Sequence, residues 1–397
     1  MLAPTIDSMT PTERRAGVSL AAIFGLRMLG LFLILPVFSV YAPTLAGGDD
    51  VLLVGLALGA YGLTQAFFQI PYGMASDRWG RKPVIVAGLL LFAAGSFLAA
   101  AADSIYWVIA GRIIQGAGAI SAAVTALAAD LTREQHRTKV MAMIGSTIGL
   151  VFAISLVGAP LLYAALGMPG IFALTGLLAL AAIVLLLKAV PSPPPAVARG
   201  RVPFSSVLLH GQLARLNFGV LALHMMQTAL WVVVPPMLVA TGGLPLAEHW
   251  KVYLPAVLVS FVVMVPAIIA AEKHGRMKAV FVGAILLLIA VQVGLATLGG
   301  GLYAIGFWLL AFFIGFNVLE AIQPSTISRL APAEAKGAAL GVYNTTQSVG
   351  LFLGGALGGW MLKHYGAGAV QGFCAAIGVI WLMLAATMTP PVRKTST

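Results

Sequence analysis

Residues 70–88, IPYGMASDRWGRKPVIVAG, and residues 265–283, VPAIIAAEKHGRMKAVFVG, align without a gap. Pro71 falls on Pro266, Asp77 on Glu272, Arg78 on Lys273, Gly80 on Gly275, Arg81 on Arg276 and Gly88 on Gly283. The offset is 195 residues, about half of the 397-residue chain. Gly145 and Gly341, and likewise Gly158 and Gly354, recur at an offset of 196. In each copy the charges lie between two apolar runs, so the chain reads as a duplication whose unit is half its length.

Outward from that repeat the apolar runs count out the unit. Stretches near 17–45, 51–72, 84–102, 105–128, 141–165 and 171–190 form one set, and 217–240, 252–271, 279–299, 301–326, 338–362 and 368–389 the other. Each is long enough to cross about 30 Å of hydrocarbon as a helix. The expected fold is an all-α membrane protein of twelve transmembrane helices in two pseudo-symmetric six-helix bundles, residues 1–190 and 217–397. Pro191-Ser-Pro-Pro-Pro195 with Arg199, Arg201 and Arg215 marks a linker over 191–216. Six crossings per copy is an even number, so the two copies enter the membrane in the same sense.

Composition agrees. Hydrophobic residues make up 60% of the chain and charged residues 9%, against roughly a quarter in soluble domains. The net charge of +11 comes from Lys and Arg in short segments between apolar runs, so nucleic acid is not implied as a partner. Basic residues crowd the segments on the side of the termini, whereas the opposite loops hold Lys251 and Lys363 beside Asp49, Asp50, Asp103 and Glu248. That bias places both termini in the cytoplasm of a cell whose inner membrane the chain spans. Residues 1–16 are polar and the first apolar run is too long for a cleaved signal. The single cysteine, Cys374, excludes a disulfide framework or a cysteine metal site. H-E-x-x-H, G-x-S-x-G and G-x-x-x-x-G-K-[ST] are all missing, which argues against an enzyme and against ATP as the driving force. No cofactor and no metal is expected.

Few residues inside the runs carry charge, and those are the candidate sites. Glu320, in Phe316-Asn317-Val-Leu-Glu320-Ala-Ile-Gln323-Pro324, is the one acid deep in a span. Such a carboxylate either pairs with a cation or takes up a proton. Arg27 and Arg112 are the buried cations. By helix rise Glu320 lies about 10 Å, and Arg27 about 15 Å, from the terminus-side ends of their helices, whereas Arg112 lies in the outer half. Arg27 is therefore the better depth match as partner. His224 suits a packing role as well as a proton relay. Gln65, Gln115, Gln227, Trp231, Asn317, Asn344 and Gln347 are candidate liners of a polar substrate cavity. In the loop between the second and third runs, Gly73, Asp77, Arg78, Gly80 and Arg81 allow a tight turn. Asp77 offers charge to a helix N-terminus, and the arginines offer partners for Asp130.

That loop, Gly73-Met-Ala-Ser-Asp-Arg-Trp-Gly-Arg-Lys82, resembles the major facilitator motif G-x-L-x-D-R-x-G-R-[KR], with Ala75 in place of Leu. Arg112-Ile-Ile-Gln-Gly-Ala-Gly-Ala119 resembles the family's R-x-x-Q-G-x-G-A. In the fifth run, Ala159-Pro160 stands where the antiporter motif has Gly-Pro, and the antiporter inference from that run stays open. Residues 12–42, YGLTQAFFQIPYGMASDRWGRKP, AADLTREQHRTK, FNVLEAIQPSTIS and KGAALGVYNTTQSVG are similar to the YajR-like drug:proton antiporters. Some of those carry a small soluble C-terminal domain, which is not expected in a chain ending at Thr397. The resemblance implies proton-coupled efflux of small amphipathic compounds by alternating access, in a monomer embedded in the lipid bilayer. It also implies a central cavity lined by helices one, four, seven and ten, and a loop latch that holds the outward-open state. Export of one metabolite, such as a sugar or amino acid, is the alternative; a receptor or membrane enzyme fits poorly.

Overall fold

A computed structural model describes residues 8–191, 207, 210–272, 274–297, 301–332 and 335–389. The first apolar run is two helices, α1 (Pro11–Phe32) and α2 (Leu35–Tyr41). Thr10 and Glu13 form a reciprocal capping box at the start of α1. Pro36, at the start of α2, lacks an N–H and crowds the carbonyl four residues back, which accounts for the break. Next come α3 (Val51–Trp79) and α4 (Arg81–Ala100). The fourth run is split at Gly118 into α5 (Ile105–Ala117) and α6 (Ser121–Asp130). α7 (Glu134–Ala189) covers two crossings joined at Gly167, whose φ of 65° breaks the helix just before Pro169.

The second half comprises α8 (Gly211–Ala240), α9 (Trp250–Glu272), α10 (Met277–Thr297), α11 (Leu302–Leu330), α12 (Lys336–Tyr365) and α13 (Ala367–Ala386). Because α8 begins at Gly211, the last six residues of the expected linker are helical; most of the rest lies outside the described residues. Ten helices among the described residues are long and apolar enough to cross a membrane. The two crossings of α7, and the 30-residue α12 with its seven glycines and polar Asn344–Ser348 segment, bring the count to the expected twelve. The repeat survives in the backbone as well. Gly80 and Gly275, matched in sequence, both adopt positive φ (94° and 67°) at equivalent turns.

The side carrying the ends of α1 and α13 is the terminus side; the other is the far side. On the far side the two halves touch backbone to backbone. A Cβ on Gly355 of α12 would lie 2.3 Å from the carbonyl oxygen of Gly55 of α3. One on Gly359 would lie 2.6 Å from Val51 O, and one on Gly62 2.5 Å from Ser348 O. Only glycine permits this approach. Lys363 Nζ reaches Asp50 Oδ2 across the same seam at 2.7 Å, and Ser39 Oγ donates to Trp231 O at 2.9 Å. The terminus side differs. Gly337 and Gly341 lie on the α12 face that carries Ser348 and Gly355, yet a Cβ on either would meet nothing within 4 Å. On α7, Phe152 packs against Phe313 and Phe316 of α11 with ring centroids 6.2 and 6.0 Å apart. Gly149 and Gly145, on the same stripe of α7, face open space. The halves form a V, shut on the far side and open on the terminus side.

The Lys363 ammonium and the Leu52 N–H hold the Asp50 carboxyl below the usual carboxylate range, although burial opposes them. A depressed acid keeps its stabilising effect above its unfolded value and loses it as pH falls through the folded one. The far-side pair should therefore be indifferent to pH between 8 and 5. An exposed pair of this kind contributes at most about 1 kcal/mol, so Asp50→Asn should raise far-side opening up to about fivefold. Alkylation of a cysteine at buried Ala42, in a Cys374→Ser background, measures this. An unchanged rate in Asp50→Asn, or a ratio of variant to wild-type rate that varies over that pH range once the thiolate fraction has cancelled, would contradict the assignment.

Candidate proton and substrate site

Two buried arginines occupy the first half with no carboxylate bonded to either among the described residues. Arg27, 1% exposed, donates to Tyr61 Oη at 2.6 Å, Gln65 Oε1 at 3.2 Å, Gly118 O at 3.3 Å and Ser121 Oγ at 3.4 Å. Gly118 can accept because the α5–α6 break frees its carbonyl from the helix ladder. Arg112, 2% exposed, donates to Ala57 O, Leu58 O and Gln115 Oε1. Both guanidinium groups approach the Tyr61 ring, at 5.8 and 5.1 Å from its centroid. Dipoles and a ring face thus take the place of a counter-ion. Gln65 carries the network onward: its Nε2 donates to Ser348 Oγ of α12 at 2.9 Å, halfway along both helices.

In the second half Glu320 stands at the apex of the V, with its side chain 36% exposed. Its partner is His224 of α8, with Nε2 3.6 Å from Glu320 Oε2. Among the described residues no arginine or lysine comes within ion-pair distance of it. The expected pairing with Arg27 is therefore corrected. Arg27 has the matching depth but is held inside its own half by Tyr61, Gln65, Ser121 and Gly118, and Arg112 is held likewise. His224 Nε2 is also 2.7 Å from Gln347 Nε2 of α12, and its Nδ1 is 3.1 Å from Val220 O.

The candidate cavity residues divide. Gln347, Asn344, Gln65, His224 and Gln227 lie along the helices that meet at the apex. Gln115 does not line the opening: it is fully buried between Arg112 and Ser96. Asn317 also turns inward, donating to Ser260 Oγ of α9 at 2.9 Å. Trp231 is sealed on the far side against Tyr253 and Phe313. Both turned-in amides satisfy buried polar neighbours, a demand that a list of polar residues does not reveal. Sequence reading also missed Ser348, Ser121 and the aromatic cluster of Phe152, Phe313 and Phe316, whose only sequence signal is apolar periodicity.

The loop residues occupy the terminus side. Arg81 Nε donates to Asp130 Oδ2 at 2.9 Å, and Arg81 also pairs with Asp77 and Ser76. Arg78 and Gly80 are exposed, and the Gly73 carbonyl accepts from Ser76 Oγ at 2.8 Å. Asp77 is 67% exposed at its side chain, and among the described residues its ion-pair partner is Arg81 of its own loop.

The model of the Major Facilitator Superfamily matches residues 20–350 and 216–397. The chain belongs to that superfamily. It is a membrane transporter, not an enzyme. It is 45% identical to the inner membrane transport protein YajR of Escherichia coli, over 96% of this chain and 85% of the relative. It is 27% identical to the multidrug resistance protein MdtH of Aeromonas hydrophila, over 94% and 92%. Among solved structures it matches a bacterial homologue of the human lysosomal transporter Spinster, inward-facing and occupied, with a TM-score of 0.75 at 13% identity, covering 96% of each chain. A D-xylose–proton symporter matches with a TM-score of 0.73 at 15% identity, covering 96% of this chain and 99% of that one. At such identities the structural matches speak for the fold, and the fold is that of the superfamily.

Tyr61→Phe removes the shortest bond to Arg27 and leaves the ring in place. It should cost about 1.5–3 kcal/mol, the usual scale for a hydrogen bond to a charged group. The denaturation midpoint of purified protein in detergent reads this loss, and an unmoved midpoint would contradict the bonding shown.

Proposed function

We propose that the chain is a proton-coupled exporter of small amphipathic compounds, working as a monomer by alternating access in the cytoplasmic membrane. Both termini lie in the cytoplasm, so the open end of the V faces the cell interior, where the basic loops belong. The two rocking units are residues 1–190 and 217–397. The observation that carries the reading is Glu320: an acid about a third exposed at the apex, beside a titratable histidine in place of a fixed cation. A carboxylate locked to arginine has a fixed counter-ion, whereas this one faces a histidine and the opening. The aromatic wall of Phe152, Phe313 and Phe316 next to it suits an amphipathic substrate, and the name of the multidrug resistance relatives fits the same class. When the terminus side closes, Asp77 meets the opposing helix end and the loop with Arg78, Arg81 and Asp130 latches.

Proteoliposomes with an imposed pH gradient and ethidium as the probe provide the test. Wild type should concentrate ethidium against its gradient. Glu320→Gln, which resembles the protonated acid, should lose at least tenfold of that rate while still exchanging ethidium for ethidium. Gradient-driven accumulation at the wild-type rate in Glu320→Gln would overturn the coupling assignment.

A further inference from the structure

The orientation of His224 is set by an atom that cannot change its role. Nδ1 lies 3.1 Å from the Val220 carbonyl oxygen, which only accepts, so Nδ1 carries a hydrogen. In the neutral ring Nε2 then has a bare lone pair. Two groups lie near it. Gln347 Nε2 donates to it at 2.7 Å, and Glu320 Oε2 lies 3.6 Å away. Oε2 is buried and has no hydrogen-bond partner, so an ionised carboxylate here faces another acceptor. The arrangement is one proton short of satisfied. The Glu320 side chain is nevertheless 36% exposed, which gives that proton a path from solvent. The ionisable neighbours are few: Tyr343 of α12 lies within electrostatic reach of Glu320, and Glu320 is the charged group acting on His224.

We propose that His224 and Glu320 form one proton-sharing pair, whose state is passed to α12 by the amide of Gln347. The inference rests on Glu320 as the coupling carboxylate and adds the second half of the site. A proton arriving from the cavity forms an O–H bond on Glu320 donated to Nε2, or an N–H bond on His224 donated to Oε2; on release it returns to cavity water. Neutral His224 accepts from the Gln347 N–H. Protonated His224 has no lone pair left on Nε2, so Gln347 must turn its carbonyl oxygen inward. Gln347 is adjacent to Ser348, the α12 residue bonded to Gln65 of the other half. Proton occupancy therefore bears directly on the strip of α12 where the two halves meet.

The test is nitrogen-15 NMR of histidine-labelled protein in nanodiscs, with the His224 resonances assigned by His224→Gln. At alkaline pH His224 should show a protonated Nδ1 and a bare Nε2. On acidification Nε2 should titrate, and Glu320→Gln should move that transition at least one pH unit toward acid, because the carboxylate that stabilises the imidazolium is gone. Glu320→Asp should restore most of the shift. A protonated Nε2 at alkaline pH, or a transition unmoved by Glu320→Gln, would overturn the pair. The readout needs no substrate: an intact coupling in NMR with no gradient-driven flux would sink the export reading and leave the pair standing.

Discussion

Everything in this molecule hangs on the seam where α3 and α12 meet without side chains between them. Gly55, Gly59 and Gly62 face Gly355, Gly359 and the backbone of Phe352 and Ser348 so closely that a Cβ would sit within 2.1–2.7 Å of a carbonyl oxygen. Lipid gives no hydrophobic drive to helix association, so contact area gained by close approach has to supply it. The glycines concentrate that contact on the far half of both helices. On the terminus half of the α12 face, a Cβ on Gly337 or Gly341 would meet nothing within 4 Å. One seam thus decides which end of the V is shut, and two packed arrangements with little between them are what a rocking transporter requires.

Charge is distributed so that one half is fixed and the other responsive. Arg27 and Arg112 are pinned by carbonyls, hydroxyls, amides and the Tyr61 ring, all within the first half apart from the Gln65–Ser348 link. Guanidinium groups are cations at neutral pH, so the network is built around two fixed charges. The second half has instead a carboxylate beside an imidazole, Glu320 and His224, 3.6 Å apart. Such a division is what the proposed proton coupling requires: a framework that holds its shape beside one protonatable site.

What could be read from sequence was whatever repeats or alternates. The duplication showed itself in Gly80 and Gly275, whose matched positive φ confirms equivalent turns, and the charges of that loop pointed to the Arg81–Asp130 bond. Helix rise placed Arg27 and Glu320 at similar depth, but depth says nothing about which way a side chain turns. The carbonyl of Gly118 became a partner for Arg27 only because α5 ends there, a break that the sequence showed merely as a glycine pair. Gln115 and Asn317 are polar for the sake of Ser96, Arg112 and Ser260, and only packing distinguishes such residues from cavity liners. α12 was legible as a span by length, while its glycines and its Asn344–Ser348 strip weaken the apolar signal for the very reason that they form the seam.

Pulsed electron paramagnetic resonance on two label pairs tests the rocking seam most directly. One pair, at Lys139 of α7 and Lys336 of α12, spans the open terminus side; the other, at Asp49 and Lys251, spans the shut far side. Gly355→Ala places a Cβ about 2.3 Å from Gly55 O and should pry the far side apart. The far-side distance should lengthen and the terminus-side distance shorten together. Lengthening on the far side with no change at Lys139 and Lys336 would show that the halves do not turn about this seam.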